Sequence, residues 1–324
     1  MLTERNQNII KQINEFGHNR TPFLFIIDFE EKFPKVYNLD KIDNSKIKFS
    51  FNGKTNFKPE KINKTPIIKA FPPSFDEYKK SFNIVKKNIL HGNSYLTNLT
   101  FKSKIESNLS LEEIFHISKA KYKLWFNNEF TFFSPEIFVQ IKNNKILSYP
   151  MKGTIDANLP NAKKKLLSDE KETAEHYTIV DLIRNDLNII AKNVKVDKFR
   201  YIDRIKSTHK ELLQMSSQIS GILPANYNQK LGEIIFSLLP AGSISGAPKK
   251  KTLEIISNAE TYKRGYYTGI AGIFDGKNLD SCVMIRFIEK QNEKLFYKSG
   301  GGITSQSIAE KEYQEMIDKI YIPI

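Results

Sequence analysis

The sequence predicts an α+β fold dominated by antiparallel pairing. Short runs rich in β-branched and aromatic residues, such as FTFFSPEIFVQI, TGIAGIF and DSCVMIRFI, are bounded by turn residues in the manner of strands. Longer stretches, among them 169–187 and 309–320, carry the helical spacing of apolar side chains. No internal repeat or low-complexity linker separates the two kinds of segment, and a chain of 324 residues with 40% hydrophobic content can bury a substantial core. One compact domain spanning 1–324 is the economical expectation.

Taken in order, residues 1–72 form an N-terminal part of short apolar runs and polar clusters without an assignable motif. Within it, Phe23–Ile27 reads as a buried strand that stops at Asp28 and is far too short to cross a bilayer. The segment FPPSFDEYKK marks a boundary near Phe71, after which 73–324 is expected to be the catalytic region. A helix is predicted over 76–90, and Gly92 and Asn93 then turn the chain into a strand through LTNLTF. FTFFSPEIFVQI and KILSYPM read as strands, 169–187, 230–239 and 249–257 as helices, TGIAGIF, DSCVMIRFI and KLFYKSG as strands, and 309–320 as the last helix.

The net charge of +14 invites an anionic partner, but lysine supplies almost all of it and the chain has only seven arginines. Arginine is the better fork for phosphates and base edges, and no nucleic-acid-binding motif is present, so no nucleic-acid partner is expected. A single cysteine, Cys282, excludes an internal disulfide framework or a cysteine-rich zinc site and fits a reducing compartment. The opening MLTERNQNII lacks the apolar core of a signal peptide, so the cytoplasm is expected and a membrane is not.

Lys152 lies between Pro150 and Gly153, where the backbone is constrained, and is a candidate nucleophile or anion ligand. Glu136, in Ser134-Pro135-Glu136, lies sixteen residues upstream, about what two adjacent strands and their turn require, so both side chains are expected to face one cavity. Glu172, Glu175 and His176 share one face of a predicted helix, and Glu312, Glu315 and Lys319 repeat the arrangement near the C-terminus. Four glutamates without cysteine or paired histidine suit a hard cation, Mg2+, although spacing alone favours the plainer reading of two solvated helix faces. The loop Gly242-Ser243-Ile244-Ser245-Gly246-Ala247-Pro248-Lys249 leads into a helix and offers backbone donors to an anion, but without Walker spacing a carboxylate is a better ligand than a triphosphate. The glycines at 300–302 likewise present backbone N–H groups, with a flexible turn as their ordinary reading. Arg286, after an apolar strand, either forms a structural salt bridge or grips a carboxylate.

Together these segments resemble the chorismate-utilising enzymes, a family that includes the large subunits of anthranilate synthase and aminodeoxychorismate synthase. The resemblance spans 71–319 and rests on SPE, PMKGT, DEKETAEHYTIVDLIRNDL, GSISGAPK, RGYYTG, LDSCVMIR and GGGITSQSIAEKEYQE, in that order. It implies two facing, mainly antiparallel sheets with helices packed outside. It also implies that Glu175 and Glu315 bind Mg2+ directly while Glu172 and Glu312 act mainly through water. Arg286 and Tyr267 would hold the enolpyruvyl carboxylate of chorismate, and Gly153, Ser243 and Lys319, with Thr154 of the same PMKGT motif, would lie around the ring carboxylate beside backbone donors from Gly300 and Gly302. Glu136 would be the general acid for the C4 hydroxyl, and neutral Lys152 the nucleophile at C2.

Lysine at 152 is similar to the aminodeoxychorismate synthase branch, since anthranilate synthases usually have alanine there. Leu96 stands where water-adding relatives have a lysine base and aminating ones commonly have glutamine, and Gln214 stands where many relatives have histidine. No glutaminase nucleophile is present, so ammonia is expected from a separate glutamine amidotransferase subunit or from solution. The alternatives are an anthranilate synthase component I, which aminates C2 and eliminates pyruvate, and a non-catalytic basic binding protein.

Overall fold

The computed structural model describes residues 3–206 and 211–324. Two nine-stranded sheets form the molecule, and every strand pair in both is antiparallel. The first sheet runs from Met151–Asp156 through Glu211–Ile222, Lys145–Ser148, Ile137–Lys142, Leu279–Val283, Ile270–Phe274 and Phe23–Ile27 to Lys35–Asn38. Lys192–Lys206 pairs with Glu211–Ile222 beside that path. The second runs from Gly246–Ala247 through Leu96–Ser107, Lys294–Ile303, Phe287–Gln291, Phe130–Ser134, Tyr122–Phe126 and Ile47–Phe51 to Lys54–Thr55, with Ile68–Phe71 against Leu96–Ser107.

The period-two alternation of side chains explains how one strand serves two cores. Leu24 and Ile26 face the second sheet and meet Phe49, Leu124, Phe132, Phe287 and buried Cys282. Phe23, Phe25 and Ile27 face the other way, onto a core shared with the helices Glu4–His18, Glu170–Asn188 and Leu231–Ser237. On the second sheet, Phe75–Leu90, Lys249–Ala259 and Ala309–Asp318 cover Leu99, Phe101 and Ile303. The helix Phe75–Leu90 begins with a capping box, Ser74 to the Glu77 amide and the Glu77 carboxylate back to Ser74, which fixes its start one residue before the expected 76. Residues before 72 contribute strands to both sheets, so the weak boundary near Phe71 does not separate two cores.

Two expected strands prove to be four. FTFFSPEIFVQI divides into Phe130–Ser134 in the second sheet and Ile137–Lys142 in the first, and DSCVMIRFI divides into Leu279–Val283 and Phe287–Gln291 in the reverse direction. Proline has no N–H to give to a ladder, and Pro135 sits at the first break.

Candidate active site

Those breaks are the crossings between the sheets, and they carry Glu136 and Arg286. The crossings run side by side, because the Val283 amide donates to the Glu136 carbonyl at 3.2 Å and the Phe133 amide donates to the Arg286 carbonyl at 3.2 Å. Arg286 turns the corner with φ +53°, a left-handed conformation uncommon outside glycine and concentrated at functional sites. Beside it, Tyr267 is buried and precedes Thr268 at φ +61°. Burial pushes the Glu136 carboxyl up, and a hydrogen bond from Ser243 with the charges of Lys152, Lys319 and Arg286 pulls only part of the way back. A carboxyl that keeps its proton to higher pH suits a general acid.

Lys152 reaches the same space from the edge of the first sheet. After the hairpin at Asn143 and Asn144 (φ +50° and +56°) the chain runs along Glu211–Ile222 twice: Ser148 faces Ile219, and beyond Pro150 Lys152 faces Met215. The route from Glu136 to Lys152 therefore contains one strand more than the expected adjacent pair. A bulge between Lys152 and Thr154, with Gly153 at φ +71°, re-aims the lysine. A Cβ on Gly153 would stand 3.1 Å from Glu172 Oε2, so glycine there lets the edge strand lie against the helix that carries Glu172 and Glu175.

Lys152 Nζ donates to Glu175 Oε2 at 3.0 Å. From the second sheet, a Cβ on Gly302 would lie 3.2 Å from Lys152 Nζ and 3.8 Å from Glu175 Oε2, and one on Gly301 would lie 3.3 Å from Glu315 Oε1 and 3.7 Å from Glu312 Oε2. The glutamates of two helices and Lys152 thus converge on one glycine strand. Lys319 ties the last helix to that strand by donating to the Gly300 carbonyl at 2.9 Å and to Glu315 Oε1 at 2.7 Å. Thr154 pairs across from Gln214 at the outer end of this edge. Leu96 lies beside Gly302, with Cδ1 3.0 Å from where a Cβ would be, and gives the site an apolar wall.

Burial alone would depress the Lys152 ammonium, but the charge and hydrogen bond of Glu175, with Glu172 and Glu315 behind, outweigh it and hold the pKa above the ordinary lysine value. These surroundings favour the ammonium over the neutral amine expected for a nucleophile. Carboxylates are hard oxygen donors of the kind Mg2+ takes, and glycine at 301 leaves room beside Glu315 and Glu312. Among the described residues, the acidic group Glu60 and Glu112 with His116 also has its ligand atoms close together, but it is closed by Lys48, which binds Glu112 and approaches Glu60 to 3.8 Å.

His176 turns inward, with Nε2 2.7 Å from Ser217 Oγ, and burial, helped by Arg200 and Lys152, pushes it down to about 4. Lys249 is engaged by Asp186 at 2.7 Å, which leaves Ser243 as the part of its loop that reaches Glu136. Sequence reasoning missed the pair Arg264–Glu260, 1% and 2% exposed and 2.6 Å apart. Its signal was the Glu-x-x-x-Arg spacing just before RGYYTG.

The family model of chorismate binding enzymes matches residues 24–324. A Haemophilus influenzae protein named as an uncharacterized PabA-like protein is 52% identical over 327 residues, covering 100% of this chain and 99% of its own length. Aminodeoxychorismate synthase component 1 of Salmonella typhimurium is 31% identical over 260 residues, which are 75% of this chain and 56% of that enzyme. The crystal structure of anthranilate synthase component I from Streptococcus pneumoniae superposes with a TM-score of 0.68 at 27% identity, over 78% of this chain and 58% of that one. Together with the two facing sheets and the convergent Glu136, Lys152 and glutamates, these matches establish that the chain belongs to the chorismate binding enzyme family.

Proposed function

We propose that the protein is component I of an aminodeoxychorismate synthase, a cytoplasmic enzyme that aminates chorismate at C4 to give 4-amino-4-deoxychorismate for p-aminobenzoate and folate synthesis. Ammonia would come from a separate glutamine amidotransferase. The observation that carries the reading is Lys152, an amine set among Glu175, Glu172 and Glu315 in a space it shares with Glu136.

In this reading Arg286 and Tyr267 hold the enolpyruvyl carboxylate, and Ser243, Gly153, Thr154 and Lys319 with the amides of Gly300 and Gly302 surround the ring carboxylate. Mg2+, held by Glu175 and Glu315 with Glu172 and Glu312 acting through water, would bind that carboxylate and offset the glutamate charge. Lys152, having lost its extra proton, forms a bond to C2 as both ring double bonds shift by one position and the C4–O bond breaks. Glu136 gives its proton to the departing hydroxyl, which leaves as water. Ammonia then adds at C4, both double bonds return, and the C2–Nζ bond breaks to free Lys152. Leu96 cannot act as a base, which disfavours addition of water at C2.

Incubation with chorismate, Mg2+ and ammonium, followed by product analysis, tests the assignment. The expected product is 4-amino-4-deoxychorismate; anthranilate as the main product overturns the branch, and salt-sensitive duplex binding without consumption of chorismate overturns the enzyme. Intact-protein mass spectrometry without ammonia should show an adduct localised to Lys152.

A further inference from the structure

The sequence resemblance stops at Lys319, but the chain continues and places an aromatic ring on the site. Tyr321 lies with its ring centroid 4.9 Å from the Arg286 guanidinium carbon. The backbone that carries it is pinned: the Tyr321 carbonyl accepts from the Tyr297 hydroxyl at 2.9 Å, Ile322 is buried against Trp125 and Tyr297, and the Pro323 carbonyl accepts from the Lys119 amide at 2.7 Å. The side chain itself is 45% exposed, so it is held beside the arginine without being part of a core.

Arg286 has little else to hold it. Among the described residues no carbonyl or hydroxyl accepts a hydrogen bond from its guanidinium and no carboxylate pairs with it, and its backbone sits at φ +53° on the crossing next to Glu136. A guanidinium is bound by aromatic faces and donates from its edge, so a ring contact can fix its orientation while its N–H groups stay available for a carboxylate. A free arginine side chain loses rotamer entropy on binding, and a pre-set orientation reduces that loss.

We propose that Tyr321 is a positioning residue for Arg286, orienting its fork toward the carboxylate of the bound substrate. The inference rests on the reading of Arg286 as a carboxylate ligand, and it depends on the aromatic ring rather than on the phenol hydroxyl.

Chorismate affinity, measured by calorimetry with Mg2+ present, separates the possibilities, with the thermal midpoint recorded for each variant. Tyr321→Phe should bind chorismate as the unchanged protein does. Tyr321→Leu, which keeps an apolar side chain without a π face, should bind roughly three- to tenfold more weakly, and in steady state should raise KM with kcat retained. In an Arg286→Lys background, Tyr321→Leu should add nothing further, because the two act as a unit. Unchanged affinity in Tyr321→Leu, equal loss in Tyr321→Phe, or an undiminished effect in the Arg286→Lys background each overturns the proposal. If Arg286→Lys alone leaves affinity unchanged, it is the carboxylate role of Arg286 that fails. Binding is read without ammonia, so the identity of the aminated product does not enter the result.

Discussion

Two of the buried pairs of opposite charge, Arg264–Glu260 and Lys152–Glu175, are built differently. Arg264 and Glu260 saturate each other: Arg264 Nε and Nη2 both bond Glu260, its other donors meet the Ile244 and Asn98 carbonyls, and Phe29 lies 4.4 Å from its guanidinium. Glu260 also accepts from the Thr100 amide and hydroxyl, so little bonding capacity remains. Lys152 and Glu175 share a 3.0 Å bond, and Glu172 and Glu315 add their negative charge around the same ammonium. A saturated pair fastens backbone segments; a pair set among further carboxylates in a shared space is the arrangement expected of a functional site.

The comparison breaks most visibly in the rate. Lys152→Ala should lower amination by roughly 10⁴-fold or more while the protein stays folded, as removal of a nucleophile does; an unchanged rate in the ammonium assay refutes the role. Glu260→Ala should behave in the opposite way, losing about 3–5 kcal/mol of stability because Arg264 is left buried and unpaired, which denaturant unfolding would register. Glu136→Gln should slow the reaction by about 10²–10⁴-fold without a comparable loss of stability. Glu136 acts when protonated, and its pKa is raised, so activity should persist above the ordinary carboxyl range and fall as pH rises through the raised value. The residual rate of the glutamine variant should lack that limb.

Mg2+ sharpens the contrast at smaller scale. At a hundredfold excess over Kd it should stabilise the protein by about 2.7 kcal/mol, an effect that Glu315→Gln weakens and a scaffold substitution leaves alone; a midpoint insensitive to Mg2+ would count against the donor set. A separate effect belongs to Lys123, another buried lysine, which donates to the Phe115 and Ser118 carbonyls and is pushed down to about 8 by burial. The unfolded chain, with lysine near its usual ~10.4, binds more protons than the folded one between these values. Stability should therefore rise with pH from about 8 toward 10.4, and Lys123→Met should flatten that slope.

Helices and most strands were legible because their periods are local. The helix expected over 169–187 is Glu170–Asn188, with Asp169 as its cap, and the final helix ends at Asp318 rather than 320. The sheet exchanges were not legible. FTFFSPEIFVQI alternates and looks like one strand, and only pairing with DSCVMIRFI shows that its two halves belong to different sheets. The convergence of the glutamates on Gly301 and Gly302 was likewise invisible to spacing, which gives the face of a helix but not what it meets. The resemblance supplied that grouping. Neither supplied Tyr321, because nothing in the sequence near Lys319 says that the chain folds back over Arg286.

The paired crossings have a mechanical corollary. Packed sheets stand about 10 Å apart, and the short links through Glu136 and Arg286 span that distance, so the thickness of the inter-sheet filling is also the gauge that separates acid from arginine. Met284, fully buried on one of those links, is a shim. A bulkier or slimmer side chain there would change the separation of Glu136 and Arg286 without touching either sheet's outer face.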